Sequence, residues 1–111
     1  MRKDDQVRLQ HMLDAAREAI GFAQGRARTD LDSDRMLVLS LVKEIEIVGE
    51  AANQVPEATR EQLPGIPWAD IVGMRNRLIH AYFDINLEIL WRTVQYDLPP
   101  LIAVLERVFA G

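Results

Sequence analysis

Residues 34–55, DRMLVLSLVKEIEIVGEAANQV, carry apolar side chains on more than one side of a helix. Val38, Leu41, Val42, Ile45, Val48 and Ala52 recur at the spacing of one stripe, and Leu37, Ile47 and Ala51 extend it round the cylinder. Such a helix is covered on several sides, either centrally in a bundle or at a subunit contact. The stretch therefore predicts a helix from about Asp34 to Val55 with other helices packed around it. Asp32 or Ser33 is the expected cap. Gly49, Ala51 and Ala52 fall together. Small side chains there would let a neighbouring backbone approach, although good helix formation explains them equally well.

Working outward, Leu9, Leu13, Ala16, Ile20 and Ala23 mark a first helix over about Asp5 to Gln24. GRARTDLDSD breaks that pattern. Residues 56–68 form a connection with a short helical turn in PEATREQL, since Pro64, Gly65 and Pro67 bar a longer helix. A third helix is expected from Trp68–Asp70 to about Phe83. A fourth starts near Asp84–Asn86, with either residue as its cap. Leu87, Leu90, Trp91, Val94, Leu98, Leu101, Leu105 and Val108 carry its stripe. The apolar period continues across Pro99-Pro100, so a kink is expected there rather than an end. No stretch has the alternation of a strand. The fold class is all-α: an antiparallel four-helix up-and-down bundle with a kinked last helix, one domain over residues 1–111, dimerising.

Composition narrows the function. The chain has 111 residues, 49% apolar and 27% charged, as in an ordinary globular protein. It has no cysteine, which excludes a disulfide framework and a thiolate zinc site and favours a cytoplasmic setting. The N-terminus MRKDDQVRLQH is too charged for a secretory signal, and no apolar run approaches a membrane span. A net charge of −4 argues against a general nucleic-acid coat but leaves room for a local basic site. Arg75, Asn76 and Arg77 form one, and Arg92 could add to it.

That site lies in GMRNRLIHAYFDIN, residues 73–86. If the helix ran straight, with Ile71 at zero, Met74, Leu78 and Tyr82 would fall near 300°, 340° and 20°, forming the core stripe. Val72, Ile79 and Phe83 would form a second apolar face near 100°, suited to a second copy of the chain. Arg75 and His80 would then lie about 140° apart, one on each edge of that face, and could share a cleft only in a dimer. Asn76 would stand one turn before His80 on the same edge.

Histidine moves protons near neutrality, and arginine is a permanently charged fork for phosphate. Together they could promote attack of an RNA 2′-hydroxyl on its adjacent phosphate, with no metal required and no cofactor implied. A lone histidine on a helix is more often structural or solvated, and His11, without an evident partner, is read as solvated. Tyr82 on a core stripe is more often packing than chemistry, and Arg75 and Arg77 alone would pass for surface residues.

Arg75-Asn76-Arg77-Leu78-Ile79-His80-Ala81-Tyr82 reads R-x4-H-x-Y. It resembles the motif of HEPN-domain ribonucleases, in particular the HepT-like (DUF86) branch of prokaryotic toxin–antitoxin systems. EIVGEAAN, IPWADIVGMRNRLIHAYFDIN and LWRTVQYDLPPL are similar to that branch in order and spacing, over roughly residues 35–105. The resemblance implies a dimeric four-helix bundle that cleaves RNA without a metal at a composite site between protomers. On matching positions it implies Arg75 and His80 as catalytic, Asn76 as a supporting group and Arg77 as an RNA contact. It implies a minimal nucleotidyltransferase antitoxin as partner, transferring AMP from ATP to Tyr82. It assigns no role to Glu46 or Glu50 on the second helix. Two other readings stand beside the nuclease: a non-catalytic dimeric adaptor or nucleotide-sensing module, and a purely structural helical dimer.

Overall fold

The computed structural model describes residues 1–81 and 84–110. The chain is mostly helical. Its helices are α1 (Lys3–Ala23), α2 (Asp30–Ser33), α3 (Arg35–Asn53), α4 (Glu57–Gln62), α5 (Trp68–Leu78), α6 (Leu87–Arg92) and α7 (Leu98–Ala110). A π turn, Thr93–Asp97, joins the last two. Between α5 and α6, β1 (Ile79–Ala81) pairs antiparallel with β2 (Asp84–Ile85). None of the described helices is long and apolar enough to cross a membrane.

The expected covering of α3 is present. It packs on α1 along one side and on α5 along another, while α7 lies against α1. Leu41, Ile45, Val48 and Ala52 of α3 are completely enclosed with Leu9, Met12, Ala16 and Ala19 of α1. The small residues near the end of α3 serve close approach. A Cβ built on Gly49 would stand 3.4 Å from the Ile71 carbonyl oxygen and 3.6 Å from that of Val72. The backbone of α5 therefore rests almost directly on α3.

Four expectations change. The cap of α3 is Asp34, not Asp32 or Ser33: its carboxylate accepts the Leu37 N–H at 3.0 Å, whereas Asp32 faces Arg28 at 3.1 Å. Arg26 also donates to Asp34 at 2.7 Å, and this pair, with the cap bond, holds the Asp34 carboxyl below its usual range. Helix α5 stops at Leu78, not near Phe83, because the chain turns extended at Ile79 and enters a short sheet. The expectation of no strand fails at the same place. Finally, the irregularity in the last helix lies at residues 93–97, ahead of the prolines. Pro99 and Pro100 have no N–H for the carbonyls four residues back, and the helix widens before them, with the Leu98 N–H donating to Thr93 O. Both prolines then sit in the first turn of α7, where the missing donors cost least. As expected, Asn86 caps the following helix, accepting from the Ile89 N–H at 3.0 Å.

Two carboxyls are buried: Asp5, which accepts from the Thr59 hydroxyl at 2.6 Å, and Glu44. Glu44 on α3 is 5% exposed, and its Oε2 has no hydrogen-bond partner among the described residues. Burial, and then Glu18 of α1 beside it, push its carboxyl up from 4.5 to about 7. A raised carboxyl means that the folded state holds a proton which the unfolded state releases between about pH 4.5 and 7. The Glu44 contribution to stability is therefore most favourable below that window and is lost as pH rises through it.

Two outcomes are expected. Glu44→Gln should raise stability at pH 8 by about 1–2 kcal/mol and have little effect at pH 4.5, measured by urea unfolding at both pH values. Gly49→Val should cost about 1–3 kcal/mol by forcing α5 off α3, while Gly49→Ala should be nearly neutral, measured by thermal melts.

Candidate active site at the end of α5

The stripe Ile71, Met74, Leu78 is buried as the spacing requires, each at most 2% exposed. It turns the remaining side chains of the last turn outward. Arg75, Asn76 and Arg77 are all exposed there. Their place has a local reason too: cations at a helix C-terminus face the partial negative charge of its last carbonyls.

Arg75 and Arg77 differ in what they touch. Arg77 folds back along the helix, donating from Nη2 to the Asp70 carbonyl oxygen at 3.0 Å, with Nη1 3.9 Å from the Asp70 carboxylate. It passes over Gly73, where a Cβ would be in ordinary contact with Arg77 Nη1 at 3.5 Å. The seven-residue spacing of Asp70 and Arg77 places them two turns apart on one face. The spacing alone is the sequence signal for this pair. Arg75, Asn76 and His80 make no side-chain hydrogen bond or ion pair among the described residues. The three polar groups of the motif are thus presented to solvent, and Arg92 is exposed on α6.

His80 is not on the helix. It is the exposed middle residue of β1, so the angle read from a continued helix does not apply to it. Strand geometry sends neighbouring side chains to opposite faces, and His80 points out while Ile79 and Ala81 are half-buried. The short sheet is clamped at its base, where the Asn86 N–H donates to the Leu78 carbonyl at 2.7 Å. Ile79 pairs with Ile85 and Ala81 with Asp84, with an irregular register between them. Of the second apolar face, Val72 and Ile79 are half-buried against the core. Tyr82 and Phe83 lie outside the described residues.

Elsewhere, His11 is exposed as expected, on the rim of a shallow groove between α1 and α3. Glu46 and Glu50 line that groove with Arg8 and Lys43, away from the motif on α5. Among the described residues, no three acidic or histidine side chains cluster as a metal site. The arrangement at the end of α5 offers a cationic fork, an amide and an imidazole within six residues of chain, on a rigid helix end and a clamped strand. These are groups for binding a phosphodiester and moving a proton.

Because the Asn86 side chain caps α6 while its backbone N–H clamps the sheet, Asn86→Ala, which removes only the cap, should cost about 1 kcal/mol of stability in a thermal melt and speed amide exchange at Ile89, leaving the Asn86 amide bonded to Leu78.

Comparison with known proteins places this chain in a family. The model of the family "Ribonuclease HepT-like" matches residues 12–108. "Putative RNase TTE0752" of Caldanaerobacter subterraneus subsp. tengcongensis is 37% identical over 93 residues, spanning 84% of this chain and 83% of that one. "Putative RNase MJ1380" of Methanocaldococcus jannaschii is 32% identical over 107 residues, spanning 96% and 98%. "Probable ribonuclease HepT" of Thermococcus cleftensis is 35% identical over 79 residues, spanning 71% and 72%. No solved structure matches the chain. With nearly its whole length matched by the family model and the motif held out on the last turn of α5 and the strand after it, the chain belongs to the HepT-like ribonuclease family.

Proposed function

We propose that this protein is a metal-independent endoribonuclease, acting as the toxin of a type II/VII-like toxin–antitoxin pair. The observation that carries the reading is the outward presentation of Arg75, Asn76 and His80 at the end of α5, in a chain whose relatives bear ribonuclease names. In this reading residues 1–111 form one HEPN-like domain, an antiparallel up-and-down four-helix bundle. Two copies associate so that the ends of α5 and the strands after them line one cleft. RNA is the substrate, and the protein works in the cytoplasm.

The reaction needs three things from the protein. Arg75 holds the non-bridging phosphoryl oxygens and offsets the charge that builds on them. The His80 imidazole takes the proton from the 2′-hydroxyl as O2′ bonds to phosphorus. The P–O5′ bond breaks, and an imidazolium, on the same or the other protomer, returns a proton to the departing 5′-oxygen. The products are a 2′,3′-cyclic phosphate and a 5′-hydroxyl. Asn76 supports the phosphate or the imidazole, and Arg77, already leaning on Asp70, steadies the RNA backbone.

Silencing is assigned to a minimal nucleotidyltransferase antitoxin that transfers AMP from ATP to Tyr82. The Tyr82 oxygen bonds to the α-phosphorus and pyrophosphate leaves; the adenylyl group added within the motif would compete for the arginines by charge and block the cleft by volume.

The test is cleavage of end-labelled RNA by purified protein in EDTA. Wild-type protein should cut and leave 2′,3′-cyclic phosphate ends. Arg75→Ala and His80→Ala should each lower the rate by about 100-fold or more with the fold retained. Full activity in both variants would remove these residues from the mechanism.

A further inference from the structure

A groove of about 480 Å³ opens between α5 and the π turn with the start of α7, beside the last turn of α5. That volume is within the range of small-molecule sites and suits one nucleotide. Its floor includes Met74 and Leu101, which are 2% and 3% exposed. Tyr96 stands at its side with 69% of its surface exposed, an unusual fraction for so large a ring. Arg77, Asp70 and Asp97 supply the charged rim. Among the described residues neither Asp97 nor the Tyr96 hydroxyl makes a side-chain hydrogen bond or ion pair. The nuclease chemistry proposed above uses neither residue.

We propose that this groove is a base-binding subsite for single-stranded RNA and that it prefers guanine; the inference rests on the ribonuclease reading for its substrate class. An exposed aromatic ring beside an apolar floor is a stacking platform for a nucleobase, whose faces are flat and poorly hydrated. Arg77 is the cation of the rim. Its guanidinium, held by the Asp70 carbonyl, is oriented before any ligand arrives and can meet the phosphate attached to the bound base.

The rest of the rim chooses the base. Asp97 and Asp70 are acceptor-only when ionised. They need a base edge that donates. Guanine offers two adjacent donors, N1–H and the N2 amino group, which match the two oxygens of one carboxylate. Adenine and cytosine each offer a single amino group next to a ring acceptor. Uracil offers one N–H between two carbonyl oxygens, which a carboxylate repels. Asp97, with no competing partner among the described residues, is the better placed acceptor. Asp70 already leans toward Arg77.

The groove does not hold the nucleotide at which the chain is cut. Arg75 and Arg77 are two residues apart, about 200° round the helix, so they face nearly opposite sides. RNA that met Arg75 at the cleaved phosphate and then passed round the end of α5 would bring a flanking base to Tyr96. The subsite would therefore set where cleavage occurs and leave the chemistry to Arg75 and His80.

The experiment measures binding apart from cleavage. Non-cleavable 2′-O-methyl pentanucleotides, one all uridine and one with a central guanosine, are titrated against the full chain by fluorescence anisotropy. Cleavage sites on a mixed-sequence RNA are mapped in parallel. Wild-type protein should bind the guanosine oligomer about tenfold more tightly. Tyr96→Ala should weaken both oligomers by about tenfold, and Tyr96→Phe, which keeps the ring, should restore binding. Asp97→Asn should erase the preference for guanosine and the sequence bias of cleavage while cutting persists. Equal wild-type affinity for the two oligomers, or unchanged binding in both Tyr96→Ala and Asp97→Asn, overturns the subsite. Guanosine preference in a protein that cuts no RNA upholds the subsite and defeats the nuclease reading. Cutting without any base preference does the reverse.

Discussion

The structure depends on the close packing of α5 on α3. At Gly49 the carbonyl oxygens of Ile71 and Val72 lie 3.4 and 3.6 Å from where a Cβ would be, so nothing larger than a methyl group fits between the two helices there. This close approach fixes the height of α5 on α3. The buried stripe of Ile71, Met74 and Leu78 then fixes its rotation. Once height and rotation are set, Arg75, Asn76 and Arg77 have one place to go, which is outward. The candidate site is thus a consequence of core packing one helix away. Its precision comes from backbone against backbone rather than from flexible side chains.

The second determinant is where α5 ends. The Ile79 N–H still donates back to the Arg75 carbonyl, but Ile79 itself is extended and the Leu78 carbonyl is taken by the Asn86 N–H. The arginines and the histidine therefore stand on different kinds of backbone. A helix end presents the cations, where the dipole favours them. A strand presents the imidazole, where alternation keeps it clear of the core. Orienting the two groups independently gives the site more freedom than a single helix face would.

Charge is distributed so that the acidic chain can still hold a cationic spot. Arg26 is engaged by Asp34 and Asp30, Arg28 by Asp32 and Glu88, and Arg17 by Glu106. Exposed pairs of this kind add little stability. They do occupy arginines elsewhere on the surface, while Arg75 at the end of α5 is not so engaged among the described residues. Arg77 is engaged by Asp70, through the carbonyl at 3.0 Å and more loosely through the carboxylate at 3.9 Å, and stays exposed.

Much of this was legible in the sequence because it follows from periodicity. The stripes of α1, α3 and α5, the cap at Asn86, the small residues at Gly49 and the exposed arginines all come from the 3.6-residue repeat or from the chemistry of one side chain. The R-x4-H-x-Y spacing pointed to the family without any coordinates. What periodicity could not supply was the end of α5. Apolar residues such as Leu78, Ile79 and Phe83 suit a helix or a strand equally, and the extended form at Ile79 goes with pairing to the chain that returns at Ile85 and Asn86. The cap at Asp34 went the same way, decided by Arg26 eight residues back. The groove at Tyr96 needs residues 70–77 of α5 brought to line one opening with residues 96–104 of the π turn and α7. Local sequence sets which face of each element is apolar. Only the packed chain decides which elements meet, because that choice rests on contacts between residues far apart along it.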